Sequence, residues 1–161
     1  MTSQEIAALL SERFGERILE SKPDDMNPWS AVDPSCILDV CRFVNSDDRI
    51  KMDHLELLGG VDYEDRIEVV YVLYSMKHRH RYTLKCRLPR EEPKVATVES
   101  VWAVANWHER EAFDMFGVVF EGHSDMRRIL CPDDWEGYPL RKDYKAPESY
   151  RDMPVWEDRW K

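Results

Sequence analysis

Near the start of the chain Ile6, Leu9, Leu10, Phe14 and Ile18 stand three or four residues apart with charged residues between them. That spacing predicts an amphipathic helix over 3–19, lying on the outside of the domain. A loop follows through Pro23, Asp24, Asp25, Asn27 and Pro28. Asp33 then stands where it can cap a second helix whose first position is Pro34, a place where a missing N–H costs nothing. Ile37, Cys41 and Val44 line the inner face of that helix, and residues 45–48 break it. Residues 55–61 suit a short helix, a strand or both, and the strand is favoured. Residues 67–76, rich in Val and Tyr with apolar side chains on both faces, predict a strand covered on both sides at the centre of a sheet.

After a polar turn at 77–79, Tyr82, Leu84, Cys86 and Leu88 alternate with Arg81, Thr83, Lys85 and Arg87, the period of a half-buried hairpin partner. Residues 89–93 close the hairpin. Val98, Val101, Trp102 and Ala105 then predict a helix, broken near Asn106 and continuing to Phe116, with Gly117 as its C-cap. From Cys131 onward the pattern dissolves. Pro132, Pro139, Pro147 and Pro154 recur every seven or eight residues among Trp135, Tyr138, Tyr144, Tyr150, Trp156 and Trp160, a spacing that suits neither helix nor sheet. Aromatic residues dominate hot spots at protein interfaces, so the segment is expected to lie along a partner; the alternative is an internal clasp on its own domain, and the two are compatible if the first half clasps and the second half reaches out. The fold class expected is α+β: a small, mostly antiparallel sheet flanked by helices over 1–130, with an extended Pro/Trp/Tyr-rich docking arm over 131–161.

Composition narrows the function classes. With 161 residues, 34% charged and 43% hydrophobic, the chain suits one compact domain. Twenty-three basic against 32 acidic residues give a net charge of −9, the wrong sign for a nucleic-acid or anionic-membrane surface. No stretch approaches the roughly 20 apolar residues of a membrane span. The first residues lack the basic and apolar regions of a signal peptide, so a cytoplasmic chain is expected. Cys36, Cys41, Cys86 and Cys131 show no CxxC spacing, which leaves no zinc-ribbon or iron–sulfur ligand set legible, nor is there a Gly-rich dinucleotide turn.

Candidate chemistry concentrates in residues 106–117 and 122–144. On the predicted helix, Ala112, Phe113 and Phe116 should enter the core, while Arg110 and Asp114, one turn apart, can pair. His108, Glu109, Glu111 and His123 offer the groups of a metal or acid–base site. Against that, Glu109 and Glu111 diverge by about 200° on a helix, and the Glu-Arg-Glu triplet partly neutralises itself. His78 and His80 bracket Arg79 in what reads as a solvated turn. Arg127, Arg128, Arg141 and Lys142 suit an interface with an acidic partner surface better than an anionic cofactor.

Taken together, Glu109, Arg110, Glu111, Asp114, Met115, Phe116, His123, Arg127, Ile129 and Leu130, followed by Pro139-Leu140-Arg141-Lys142-Asp143-Tyr144, resemble the signature of the thirty-kilodalton-subunit (C) family of respiratory NADH:quinone oxidoreductase, complex I. The likeness runs more loosely from about Cys36 to Tyr144. One departure is Ser124, where the family more often has proline. The resemblance implies a peripheral-arm subunit that performs no chemistry and carries no flavin, cluster or quinone itself. It would brace the quinone-site (D) and terminal-cluster (B) subunits of an enzyme that uses NADH, FMN, iron–sulfur clusters and quinone. It would sit on the cytoplasmic side of the cell's inner membrane and be held there only through the complex. Glu109, Arg110, Glu111, Asp114, His123, Arg127, Arg128, Trp135, Arg141, Lys142, Asp143 and Tyr144 are then expected as signature or partner-interface residues. Related subunits of membrane-bound hydrogenases and of F420- or ferredoxin-linked complexes are the alternative. A stand-alone metal-dependent hydrolase is the reading from a different class.

Overall fold

The structure, a computed structural model, describes residues 1–155. Helix α1 (Ser3–Phe14) opens on a capping box in which Thr2 and Glu5 satisfy each other's backbone N–H groups. It lies outside the sheet but sinks Ile6 and Leu10 into the core. The predicted helix over 3–19 stops early because Gly15 turns to φ +56, a conformation that interrupts the helical ladder. After one turn of 3-10 helix (Gly15–Arg17), Ile18 begins strand β1 (Ile18–Lys22). This strand forms a hairpin with β2 (Trp29–Val32), so the expected loop in the twenties is the bend between two short strands.

Asp33 caps as expected: its side chain accepts from the Ser35 N–H at 2.8 Å, and a 3-10 turn starting at Pro34 leads into α2 (Ile37–Ser46). Ile37, Val40, Cys41 and Val44 are buried. Strands β3 (His54–Tyr63), β4 (Arg66–Ser75) and β5 (His80–Pro89) form an antiparallel meander, and β2 joins β5 in parallel. The sheet order is β1-β2-β5-β4-β3. The central strand is therefore β5 and not β4. Strand β4 buries Ile67, Val69, Tyr71 and Leu73 on one face but leaves Val70, Val72 and Tyr74 half-exposed on the other, because the main core lies on one side of the sheet only.

Two three-residue strands, β6 (Lys94–Ala96) and β7 (Val119–Glu121), pair in parallel on either side of α3 (Ala105–Phe116). The predicted helix over 98–104 is a succession of turns, although Val98, Trp102 and Ala105 are buried as their spacing implied. Gly117 is the C-cap, left-handed at φ +74, with its N–H on the Phe113 carbonyl at 2.8 Å. Phe113 and Phe116 are only half-buried, and the side of α3 that enters the interior carries Glu109, Arg110, Ala112, Asp114 and Met115. Beyond β7 the chain runs irregularly to a short ladder, β8 (Ser149–Tyr150) with β9 (Met153–Pro154). Trp156 and Trp160 lie outside the described residues. All four cysteines are free thiols, three of them buried.

Candidate functional site: the charged clasp around helix α3

Asp114 is fully buried and organises the loop that passes beneath it. Its Oδ2 accepts the backbone N–H groups of Ile129 (3.0 Å), Leu130 (2.7 Å) and Cys131 (2.8 Å). Its Oδ1 takes the Arg128 guanidinium at 2.6 Å. Burial alone would raise the Asp114 pKa, but these donors outweigh it and hold the carboxyl below the ordinary range. The expected Arg110–Asp114 pair is not formed. Arg110 instead lies over the Trp107 ring and donates to the Arg127 carbonyl at 3.1 Å, so both charges of α3 reach down to the 127–131 loop rather than along the helix.

Arg128 and Arg141, expected at an interface, are committed within the domain. Besides Asp114, Arg128 donates to the carbonyls of Trp135 (3.0 Å) and Gly137 (2.9 Å). Arg141 donates to the Phe116 carbonyl at 2.6 Å and so closes the C-terminus of α3, where cations are favoured. Both guanidiniums face the Tyr138 ring, at 5.4 and 4.8 Å from its centroid. Gly117 has to be glycine on two counts, its positive φ and the Tyr138 ring and Arg141 head that fill the space of a Cβ. Sequence reasoning overlooked Asp62 and Arg90, which are distant from the signature. Asp62 accepts the Lys142 N–H at 2.8 Å and pairs with Arg90, whose other arm reaches Asp143 at 2.7 Å. Burial raises the Asp62 pKa, and those donors more than reverse it. The Lys142 side chain is exposed. Trp135 donates to the Tyr144 hydroxyl at 3.0 Å. Residues 131–144 thus clasp their own domain.

Toward the other end of α3 a second cluster gathers around the buried side chains of Glu109 and His123. Glu109 accepts from the Thr97 hydroxyl and from the Val98 N–H at 2.7 Å. Desolvation nevertheless lifts its pKa from 4.5 to about 7. His123, its side chain buried, sets Nε2 at 3.9 Å from Glu109 and 3.7 Å from Glu99, and 3.1 Å from the Asn106 carbonyl. Its Nδ1 accepts the Asp125 N–H at 2.9 Å, which assigns the proton to Nε2. Ser124, the departure from the family pattern, gives Glu99 both its N–H (2.9 Å) and its hydroxyl (3.0 Å), neither of which a proline has. The fold does not complete the imagined metal set: Glu111 points to solvent, and no group of three metal-binding side chains occurs among the described residues. Arg127 is exposed, and among the described residues its side chain reaches Asp125 alone, at 3.0 Å. His78 and His80 stack on each other, each with Nε2 near a backbone carbonyl, of Asp48 and Ile50 respectively.

Fold and clasp define a class: a small α+β domain that turns the charges of one helix inward to hold a long irregular loop. Residues 30–150 match the family described as the respiratory-chain NADH dehydrogenase 30 Kd subunit, and the chain belongs to that family. It is 43% identical over 150 residues to the NADH-quinone oxidoreductase subunit (C) of Chloroherpeton thalassium, covering 91% of this chain and 62% of that protein. The same subunit of Chlorobium phaeobacteroides is 41% identical over 151 residues, with 91% of each chain covered. Among solved structures, a trypsin-resistant fragment of Nqo5 superposes with a TM-score of 0.63 at 26% identity, over 74% of this chain and 98% of the fragment. A chain of the membrane-bound sulfane sulfur reductase, an archaeal respiratory membrane complex, gives 0.72 at 28% identity, over 90% and 86%.

Proposed function

We propose that this chain is a peripheral-arm scaffold of a proton-translocating NADH:quinone oxidoreductase. It braces the quinone-site (D) and terminal-cluster (B) subunits on the cytoplasmic side of the inner membrane. The match of residues 30–150 to the thirty-kilodalton family carries this reading. The clasp is consistent with it: Asp114 and Asp62 are occupied in holding residues 127–143, which suits a surface presented to partners. No helix among the described residues is long and apolar enough to cross a membrane, so membrane attachment is assigned to the rest of the complex. FMN, iron–sulfur clusters, NADH and quinone belong, in this reading, to other subunits, and the isolated chain has no activity of its own.

The likeness to a chain of the sulfane sulfur reductase favours one second reading, the same scaffold role in a sibling membrane complex with a different electron input. The test is affinity purification of the tagged chain from its own membranes in mild detergent, with co-purifying proteins identified by mass and NADH:quinone activity assayed. Quinone-site, cluster-bearing and flavin-bearing partners with activity are expected. A different input module with the same scaffold partners supports the sibling, and a chain recovered alone overturns both.

A further inference from the structure

Two carboxylates approach the His123 imidazole, and neither receives its proton. Nε2 lies 3.9 Å from Oε2 of Glu109 and 3.7 Å from Oε2 of Glu99, but its N–H is directed at the Asn106 carbonyl, 3.1 Å away. The carboxylates differ in their surroundings. The Glu99 side chain is 19% exposed and collects the Asn106 amide at 2.9 Å together with both donors of Ser124. Glu109 is fully buried, with the Thr97 hydroxyl and the Val98 N–H as its donors. The Tyr71 hydroxyl on β4 and the Cys41 thiol on α2 face it from the core, both pushed up by burial first and by nearby charge, Glu109 included, second. Among the described residues, the group within 4 Å of either carboxylate that can become a cation is His123.

Burial, with the charge of Glu99 adding to it, outweighs the Thr97 and Val98 donors and lifts the Glu109 pKa to about 7. Losing that proton places a second negative charge beside the imidazole. A buried carboxylate gains by drawing in a further donor, and the His123 N–H is the neighbour not yet bonded to it. Nε2 has to advance by about 1 Å to reach hydrogen-bond range of Oε2. The ring is rigid, so the same movement displaces Nδ1, which accepts the Asp125 N–H at 2.9 Å. Asp125 in turn holds Arg127, through its carboxylate at 3.0 Å and through its carbonyl, which takes the Arg127 N–H at 3.1 Å.

We propose that His123 couples the proton on Glu109 to the conformation of residues 123–127. With Glu109 neutral, the ring bonds the Asn106 carbonyl and holds the Asp125 N–H. With Glu109 ionised, the ring turns its Nε2–H to Glu109 and releases Asp125. Glu109 gives one proton to solvent in this step, and His123 stays neutral with its hydrogen on Nε2. The coupling belongs to the chain itself. It deepens the scaffold reading in one respect, because the loop it releases is the one that displays Arg127.

The test is NMR of the isotope-labelled full chain between about pH 5 and 9, following the Glu109 side-chain carboxyl carbon, the Asp125 amide and the two ring nitrogens of His123. The carboxyl carbon and the amide should titrate together with a midpoint of about 7, while the ring nitrogens keep the pattern of the neutral Nε2–H form. Glu109→Gln should abolish the step at the Asp125 amide. His123→Gln should keep the step at the Glu109 carboxyl and remove it from the amide. An amide that stays still while Glu109 titrates in the parent chain overturns the proposal, and so does an amide step that survives in Glu109→Gln. Ring nitrogens that report an imidazolium across the same step overturn it as well, since the histidine would then be the group that titrates. The switch is decided on these signals alone: a tagged chain recovered alone from its membranes overturns the scaffold reading and not the switch.

Discussion

Glu109 shows what a single residue of the signature does. An acid whose pKa rises from 4.5 to about 7 on folding is stabilising to the folded chain as the neutral form only. Its contribution is complete below about 4.5 and is lost as the pH climbs through 7, a difference of about 3 kcal/mol. Glu109→Gln, which imitates the protonated acid, should therefore match the parent near pH 4.5 and become progressively more stable than it up to pH 8. The difference between the two urea-unfolding curves across that range isolates the contribution of Glu109, because every other group is common to both chains. A difference that does not change with pH would show that Glu109 is ionised, or solvated, in the folded chain. The sequence offered Glu109 as a signature carboxylate and a candidate metal or acid–base group on a charged helix. Nothing local signals that Thr97 and Val98, a dozen and eleven residues earlier, return to meet it. For the same reason spacing alone paired Asp114 with Arg110: the i, i+4 rule sees one helix, and Arg128 reaches Asp114 from a loop 14 residues on.

At the scale of elements, periodicity was informative wherever an element is long and one-sided. Helix α2 with its Asp33 cap and the β4–β5 hairpin were legible, since ten residues with a regular face leave few alternatives. The short pieces were not. Strands β2, β6 and β7 have three or four residues, too few to display a period, and are held by neighbours distant in sequence. The seating of α3 on β3 was equally invisible, although it depends on one residue. At Gly60 an added Cβ would meet Cδ2 and Cγ of Phe116 at 2.7 and 2.9 Å, so the whole ring must move, not only its tip. Gly→Ala in a strand ordinarily gains about 0.5–1 kcal/mol; here overpacking should reverse the sign and cost about 1–3 kcal/mol. In a Phe116→Ala background Gly60→Ala should become neutral or favourable. Urea unfolding of the four chains of this cycle measures the coupling, and simple additivity would show that α3 and β3 do not touch there.

Across the whole molecule the acidic excess and the inward-turned signature divide the labour. Arg110, Arg128 and Arg141 stabilise the clasp, and among the charged residues of the signature Arg127 offers its side chain outward, 70% exposed, with a local aspartate as its contact. The loop beneath it does not depend on that side chain, because Arg110 holds the Arg127 carbonyl. An exposed pair such as Arg127–Asp125 is worth no more than about 1 kcal/mol, so Arg127→Glu should leave the unfolding midpoint of the purified chain almost unchanged. At an interface the same reversal places a carboxylate against the acidic surface that an arginine would have matched, and recovery of the complex should fall by about tenfold or more. The two measurements separate the roles: lost assembly with an intact fold assigns Arg127 to docking, and a lowered midpoint assigns it to the clasp. Full assembly at wild-type yield would remove Arg127 from the interface.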